Sequence, residues 1–350
     1  MFVSQAWPGL WRMVVLAMVL LVGLGVAQPV LAQADPEREA ATAVGGVSPE
    51  TWRQVRSGET DANYRDTRFD TNYNLINASG ETWRQLRNRW VSPFGLIAIG
   101  VMLAMIAVFY VIVGRKELSA PRTGRKLPRW PLIVRSLHWT VATLFIVLAL
   151  TGLNLLYGKF VFRPLLGDAV WGGMISASKV AHNYLGPLFG ILLIVLLARL
   201  LKHNWPKRHD LEWFKKGGGM VGKAHVDAGF ANAGEKLWFW LLATVGLAVI
   251  ISGLVLDFPN YGQSRDTMQW ANIIHGIGAL GLTAVALGHI YIGTIGSEGS
   301  LEGMTTGYVD ETWAKDHHNL WYEKVKDQAI GEETLASDEP AADEAAGRST

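Results

Sequence analysis

Residues 268–293 read MQWANIIHGIGALGLTAVALGHIYIG. At about 1.5 Å per residue, a helix of this length spans the ~30 Å hydrocarbon core of a bilayer. His275 and His289 stand 14 positions apart in it, which is about 21 Å along the axis and, at about 100° per residue, within about 40° of one face. Ionisable side chains at such depth are costly and mark functional sites. Gly276, Gly278, Gly281 and Gly288 remove side chains beside each histidine, and a flat macrocycle needs that room. The pattern predicts two haems, one per leaflet, each taking a second ligand from elsewhere in the chain.

Composition agrees with a membrane setting. The 350 residues are half hydrophobic and only 18% charged, and several long apolar runs make the protein polytopic. A formal charge of +2 gives no reason to expect a nucleic-acid partner. Cysteine is absent. That excludes covalent c-type haem, cysteine-held iron–sulfur clusters, disulfides and cysteine zinc sites from this chain. Histidine is left as the metal ligand, which suits non-covalent b-type haem.

Working outward, residues 1–34 look like a secretory signal, with Arg12, the apolar run 13–27 and small residues around Ala32 and Ala34. An uncleaved anchor is the alternative. Residues 35–91 form a polar, exported extension in which Glu50-Thr51-Trp52-Arg53-Gln54-Val55-Arg56 returns as Glu81-Thr82-Trp83-Arg84-Gln85-Leu86-Arg87. The repeat reads either as two helical clips offering Trp and Arg to a partner or as a linker. A helix without ionisable groups follows within 92–114. The loop 114–130 carries six Lys or Arg against Glu117 alone, which places it in the cytoplasm.

From there the apolar runs define helices at 131–157, 179–201, 236–256 and 268–293. An external loop is expected at 158–178 and a second basic, cytoplasmic loop at 202–235. The tail 294–350 falls inside, and its acidic end from Asp327 reads as disordered. The fold expected is an all-α membrane protein. It comprises a di-haem four-helix bundle over 131–293, an extra N-terminal transmembrane helix and the signal-like segment.

This topology sorts the membrane histidines by depth. His138 and His289 fall near the cytoplasmic surface, and His182 and His275 near the outer one. Two bis-histidine b-haem sites follow, each built across two helices. Arg135 is placed for the inner propionates, and Lys179 or Arg163 for the outer. His203, His209, His225, His317 and His318 are read as solvated or packing residues. The adjacent pair His317–His318 makes a poor chelate, since neighbours on a helix do not share a face.

Three segments carry a family resemblance. They are Phe230-Ala231-Asn232-Ala233-Gly234-Glu235-Lys236-Leu237-Trp238-Phe239-Trp240, Arg135-Ser136-Leu137-His138-Trp139 with Thr151-Gly152-Leu153 a helix length later, and residues 307–318, GYVDETWAKDHH, before Leu320-Trp321. Together they resemble the gamma (cytochrome b) subunit of membrane-bound respiratory formate dehydrogenases over residues 131–323. The resemblance implies a bacterial inner-membrane complex with a molybdenum or tungsten catalytic alpha subunit and an iron–sulfur beta subunit on the periplasmic side. Electrons would reach the His182/His275 haem, pass to the His138/His289 haem, and leave to a quinone held near Asn232, Gly234 and His289. Glu235 stands where the family often has Gln. The cytochrome b of a hydrogenase or another quinone-linked reductase is the alternative within the class. A transporter or structural anchor is the alternative outside it, disfavoured because no carboxylate lies centrally in the helices.

Overall fold

The computed structural model describes residues 78–219 and 226–333, with positions 53, 57, 64–65 and 74–76. The signal-like segment, the first repeat copy apart from Arg53, His225 and the end from 334 onward lie outside the described residues. The chain packs as two units: Met1–Leu96 with Val147–Leu185 and Val255–Ile277, and Ile97–Ile146 with Gly186–Leu254 and Gly278–Thr350.

The first short strands, β1 (Tyr64–Arg65) and β2 (Asn74–Ile76), pair antiparallel. The second repeat copy lies in helix α1 (Ala78–Leu86) and the first residue of the π-helical turn Arg87–Val91, which leads into α2 (Ser92–Val113). Apolar side chains cover α2 and stand exposed, with Ile97 at 64%, Val111 at 83% and Ile112 at 76%. Such a surface is stable against hydrocarbon or a partner, not water. Among the described residues, four helical stretches are long and apolar enough to cross a membrane: Thr82–Val113, Leu132–His203, Ala233–Asp257 and Arg265–Gly296.

The second of these is a hairpin. Helix α3 (Leu132–Leu200) breaks at Gly167, whose φ of 79° and ψ of 170° belong to a region open only to glycine. In the first unit its two limbs meet at Thr151 with His182 and at Asn154 with Ser178; in the second they meet at Phe145 with Phe189. The expected loop at 158–178 is therefore helical apart from Gly167. Its sparse charge and run of Leu, Phe and Ala sustain helix, and one glycine reverses the chain.

Beyond α3 come the short helix α4 (Arg208–Lys215) and a helix built from α5 (Ala233–Leu241), a π turn at Leu242–Gly246 and α6 (Leu247–Asp257). Helix α7 (Arg265–Tyr291) carries both His275 and His289. Within the second unit the helices close a ring. The second limb of α3 meets α6 where Gly190 faces Ile250, α7 meets α5–α6 where Gly278 faces Val249, and α7 meets the first limb at His289 and His138. This is the four-helix arrangement the sequence predicts.

Most of the α7 glycines serve packing, not a macrocycle. A Cβ on Gly276 would stand 3.2 Å from Val91, on Gly278 2.6 Å from Val249, and on Gly288 3.4 Å from the Met102 sulfur. Gly276 and Gly288 thus seat the N-terminal helix against α7. Gly281 alone of the four faces open space.

The segments flanking the bundle build a small polar-side core. Strand β3 (Arg125–Pro128) runs antiparallel between β4 (Tyr308–Asp310) and β5 (Ile330–Gly331). Leu127, Val309, Trp313, Ala314 and Trp321 pack beneath, drawn partly from α9 (Glu311–His317) and α10 (Asn319–Val325), which follow the single turn α8 (Glu302–Thr305). The stretch from Asp327, expected to be disordered, instead supplies β5, which completes the sheet.

Replacing Gly278 by Leu should force α6 and α7 apart and cost about 1–3 kcal/mol. A tryptophan-fluorescence melt in detergent should show a lowered midpoint for Gly278→Leu and an unchanged one for Gly100→Ala, where a Cβ meets nothing within 4 Å.

Candidate functional site

Each unit holds one pair of facing imidazoles. In the first, the His182 and His275 ring centres are 5.9 Å apart; in the second, those of His138 and His289 are 6.3 Å apart. A histidine nitrogen binds a metal at about 2.0 Å and lies about 1.1 Å from its ring centre, so two imidazoles on opposite sides of one ion have centres about 6.2 Å apart. Both pairs fit that spacing. Helix α7 supplies one histidine to each, and the limbs of α3 supply the other two.

The surrounding groups hold the rings from behind. Thr151 Oγ1 is 2.9 Å from His182 Nδ1, and Gly152 lets that ring approach its helix. Trp238 stacks on His289 at 5.3 Å with the planes 18° apart. Trp139 meets His138 edge-on and donates its indole N–H to the Met304 carbonyl. The His138 Nδ1 atom is buried without a hydrogen-bond partner. An uncompensated buried nitrogen of this kind is costly.

The basic residues expected near propionates are placed unevenly. Arg135 donates to the Thr305 carbonyl at 2.5 Å, and its Nε is buried without a partner. Gly307, at φ 90°, allows this guanidinium to lie against the tail. Arg163 is bound to Asp168 at 2.6 Å, and Lys179 is exposed.

Asn232 is the N-cap of α5. Its Oδ1 accepts from the Glu235 backbone N–H at 2.9 Å, and Glu235 Oε2 accepts from the Asn232 N–H at 2.9 Å. This is a capping box, so Glu235 has a structural role whatever else it does. The space above Gly234 is not open. A Cβ there would meet the Trp213 indole at 2.9 Å. Lys236, buried beside it, is paired with Asp210 of α4 at 2.6 Å, which holds Trp213 in place.

What sequence reading missed is the hub that fixes this segment. Arg129, counted there among the loop's positive charges, is buried. Its guanidinium lies 4.9 Å from the Phe230 and Trp313 rings and 5.1 Å from Trp321. It donates to the Phe230 carbonyl at 3.0 Å and contacts Glu235 at 3.4 Å. His318 Nδ1 lies 2.8 Å from the Gly229 carbonyl, which can only accept. The other nitrogen, Nε2, therefore carries the lone pair that meets Arg129 at 3.1 Å. The packing reading of His318 holds, as it does for His203 against Phe230 at 4.2 Å. The one usable sequence signal was the density of Trp around His317 and His318.

The family model for prokaryotic cytochrome b561 matches residues 129–307. The chain belongs to that family. Its members are b-type cytochromes, and the cysteine-free histidine pairs suit non-covalent haem. The chain is 27% identical over 208 residues to the cytochrome b556(Fdn) subunit of the nitrate-inducible formate dehydrogenase of Escherichia coli K12, covering 58% of this chain and 93% of that protein. It is 28% identical over 192 residues to the same organism's formate dehydrogenase cytochrome b556(fdo) subunit, covering 54% and 88%. A Haemophilus influenzae formate dehydrogenase cytochrome b556 subunit is 26% identical over 207 residues, covering 57% and 83%. The signal-like segment, the repeat and α2 lie outside the matched residues.

The hub should make the tail of this cytochrome b561 family member pH-dependent. Burial, then the Arg129 charge, hold His318 well below the ordinary imidazole pKa, against the hydrogen bond to Gly229. Burial takes His317 down to about 4, opposed by Asp316 and helped by Lys116 and Arg129. Both are neutral when packed and protonate when released below about pH 6.5, so the released state binds more protons there. Stability of the tail should fall as pH drops from 6.5 towards 4, by about 1.4 kcal/mol per pH unit per histidine. Limited proteolysis should cut the tail faster at pH 5 than at 7.5; a flat profile would contradict the packing of both histidines.

Proposed function

We propose that the chain is the di-haem cytochrome b subunit of a formate dehydrogenase. It would take electrons from a periplasmic iron–sulfur subunit, itself fed by a molybdenum or tungsten catalytic subunit, and pass them to a quinone at the cytoplasmic side. The observation carrying this reading is the pair of facing imidazole sets, each at a separation that suits one metal ion and both drawing on α7. His182 and His275 hold the outer haem, and His138 and His289 the inner. A b-type haem held by two histidines would supply one-electron transfer without binding oxygen. The formate dehydrogenase names of the relatives support the choice of partner. The basic loops 114–130 and 202–235 support a cytoplasmic inner face in a bacterial inner membrane.

The chain's own residues then have definite tasks. Trp238 keeps the His289 ring in its plane. With Oδ1 committed to the cap, Asn232 has its Nδ2 amide to offer, and a quinone carbonyl is an acceptor that needs such a donor. Because Trp213 covers Gly234, the ring would approach Asn232 and His289 from another side or displace the indole.

His182→Ala and His275→Ala should each abolish the same b-type component in a redox-resolved reduced-minus-oxidised spectrum, and His138→Ala and His289→Ala the other. Loss of one component by both His182→Ala and His289→Ala would break the pairing. Deleting the chain should abolish formate-dependent quinone reduction in membranes; hydrogen-dependent reduction lost in its place would assign it to a hydrogenase.

Asn232→Asp keeps an N-cap acceptor but removes the amide donor, so quinone reduction should fall roughly three- to tenfold at unchanged thermal stability. Asn232→Ala should in addition cost about 1 kcal/mol. An Asp variant with full activity would leave Asn232 as a cap and nothing more.

A further inference from the structure

The two histidine pairs differ in what stands behind them. The Thr151 hydroxyl carries one proton, and its oxygen is 2.8 Å from the Val147 carbonyl and 3.1 Å from that of Leu148. Carbonyls can only accept, so the proton is committed back along its own helix. Towards His182 Nδ1, 2.9 Å away, the oxygen can then act only as an acceptor. The Leu148 carbonyl, a second acceptor for His182, favours the same arrangement, so His182 carries its proton on Nδ1 and keeps the Nε2 lone pair on the other edge of the ring. That is the nitrogen able to bind a metal. Gly152 makes the contact possible: a Cβ there would stand 3.2 Å from His182 Cε1. A second brace, Asn154 Nδ2 to Ser178 Oγ at 2.8 Å, ties the limbs together about one turn away. His138 has no counterpart, since its Nδ1 is buried without a partner.

We infer that Thr151 is a positioning residue for the outer haem: it selects the His182 tautomer, aims Nε2, and strengthens the ring as a donor to ferric iron. This rests on the proposed ligation by His182 and His275. An imidazole whose N–H is held by an acceptor is more basic at its other nitrogen, which favours the oxidised metal. The outer haem is thereby held at a lower midpoint than an unsupported ligand would give it. At the inner haem, His138 lacks this support.

The test is a redox titration of full-length T151V and T151S in the membrane complex, with the two haem components followed separately and the ferric forms examined by electron paramagnetic resonance. T151V should raise the midpoint of the component that His182→Ala removes and broaden its ferric signal as the ring gains rotational freedom, leaving the other component unmoved. T151S, which keeps the hydroxyl, should match the native protein. A native midpoint and signal in T151V would overturn the inference. So would a T151S chain shifted like T151V. If T151V fails to hold the haem, the T151S midpoint decides: native supports the inference and raised overturns it. Retention of both components in His182→Ala would instead overturn the ligation beneath it, so the two failures are distinguishable.

Discussion

An imidazole nitrogen inside apolar helices must find a partner, because no water is there to satisfy it. Four histidines in this chain face that constraint, and much of the structure reads as a response to it. The break at Gly167 folds α3 back so that His182 returns to Thr151. Helix α7 runs unbroken through both histidines and so delivers one to each pair. In each unit the two rings face one another at about the distance at which one metal ion satisfies both.

Outside the membrane helices the organising group is a charge. Arg129 is desolvated among Phe230, Trp313 and Trp321, and burial lowers its pKa, with Glu235 opposing. A buried guanidinium is tolerated only with good hydrogen bonding and aromatic faces around it. The partners it finds come from two distant segments, the 229–235 stretch and the tail. His318 joins the same two by bonding Gly229 on one edge and Arg129 on the other. Removing the tail would therefore loosen the Asn232 cap as well. The ordered residues 307–321 are structural supports for the mouth of α5, which gives a physical reason for their resemblance to a family tail.

The glycines show how the same residue type can be read two ways. Space beside a histidine serves a macrocycle or a neighbouring helix, and on α7 the neighbours Val91, Val249 and Met102 take three of the four spaces. At Gly234 the same holds for Trp213. The bare backbone was real, but what filled it depended on other parts of the chain. Gly152 is the converse case, a glycine that does admit an imidazole.

The sequence by itself determined the membrane class, because hydropathy acts locally along the chain. It also matched His138 with His289 and His182 with His275, the rings that stand together in the structure. Only the tertiary structure decided that residues 158–178 continue as helix up to a single glycine, that Thr151 stands behind His182, and that Arg129 is buried. Each of these depends on which side chain arrives from far away in sequence. Arg129 and His318 are 189 residues apart, and no periodicity or charge count along the chain records that they meet.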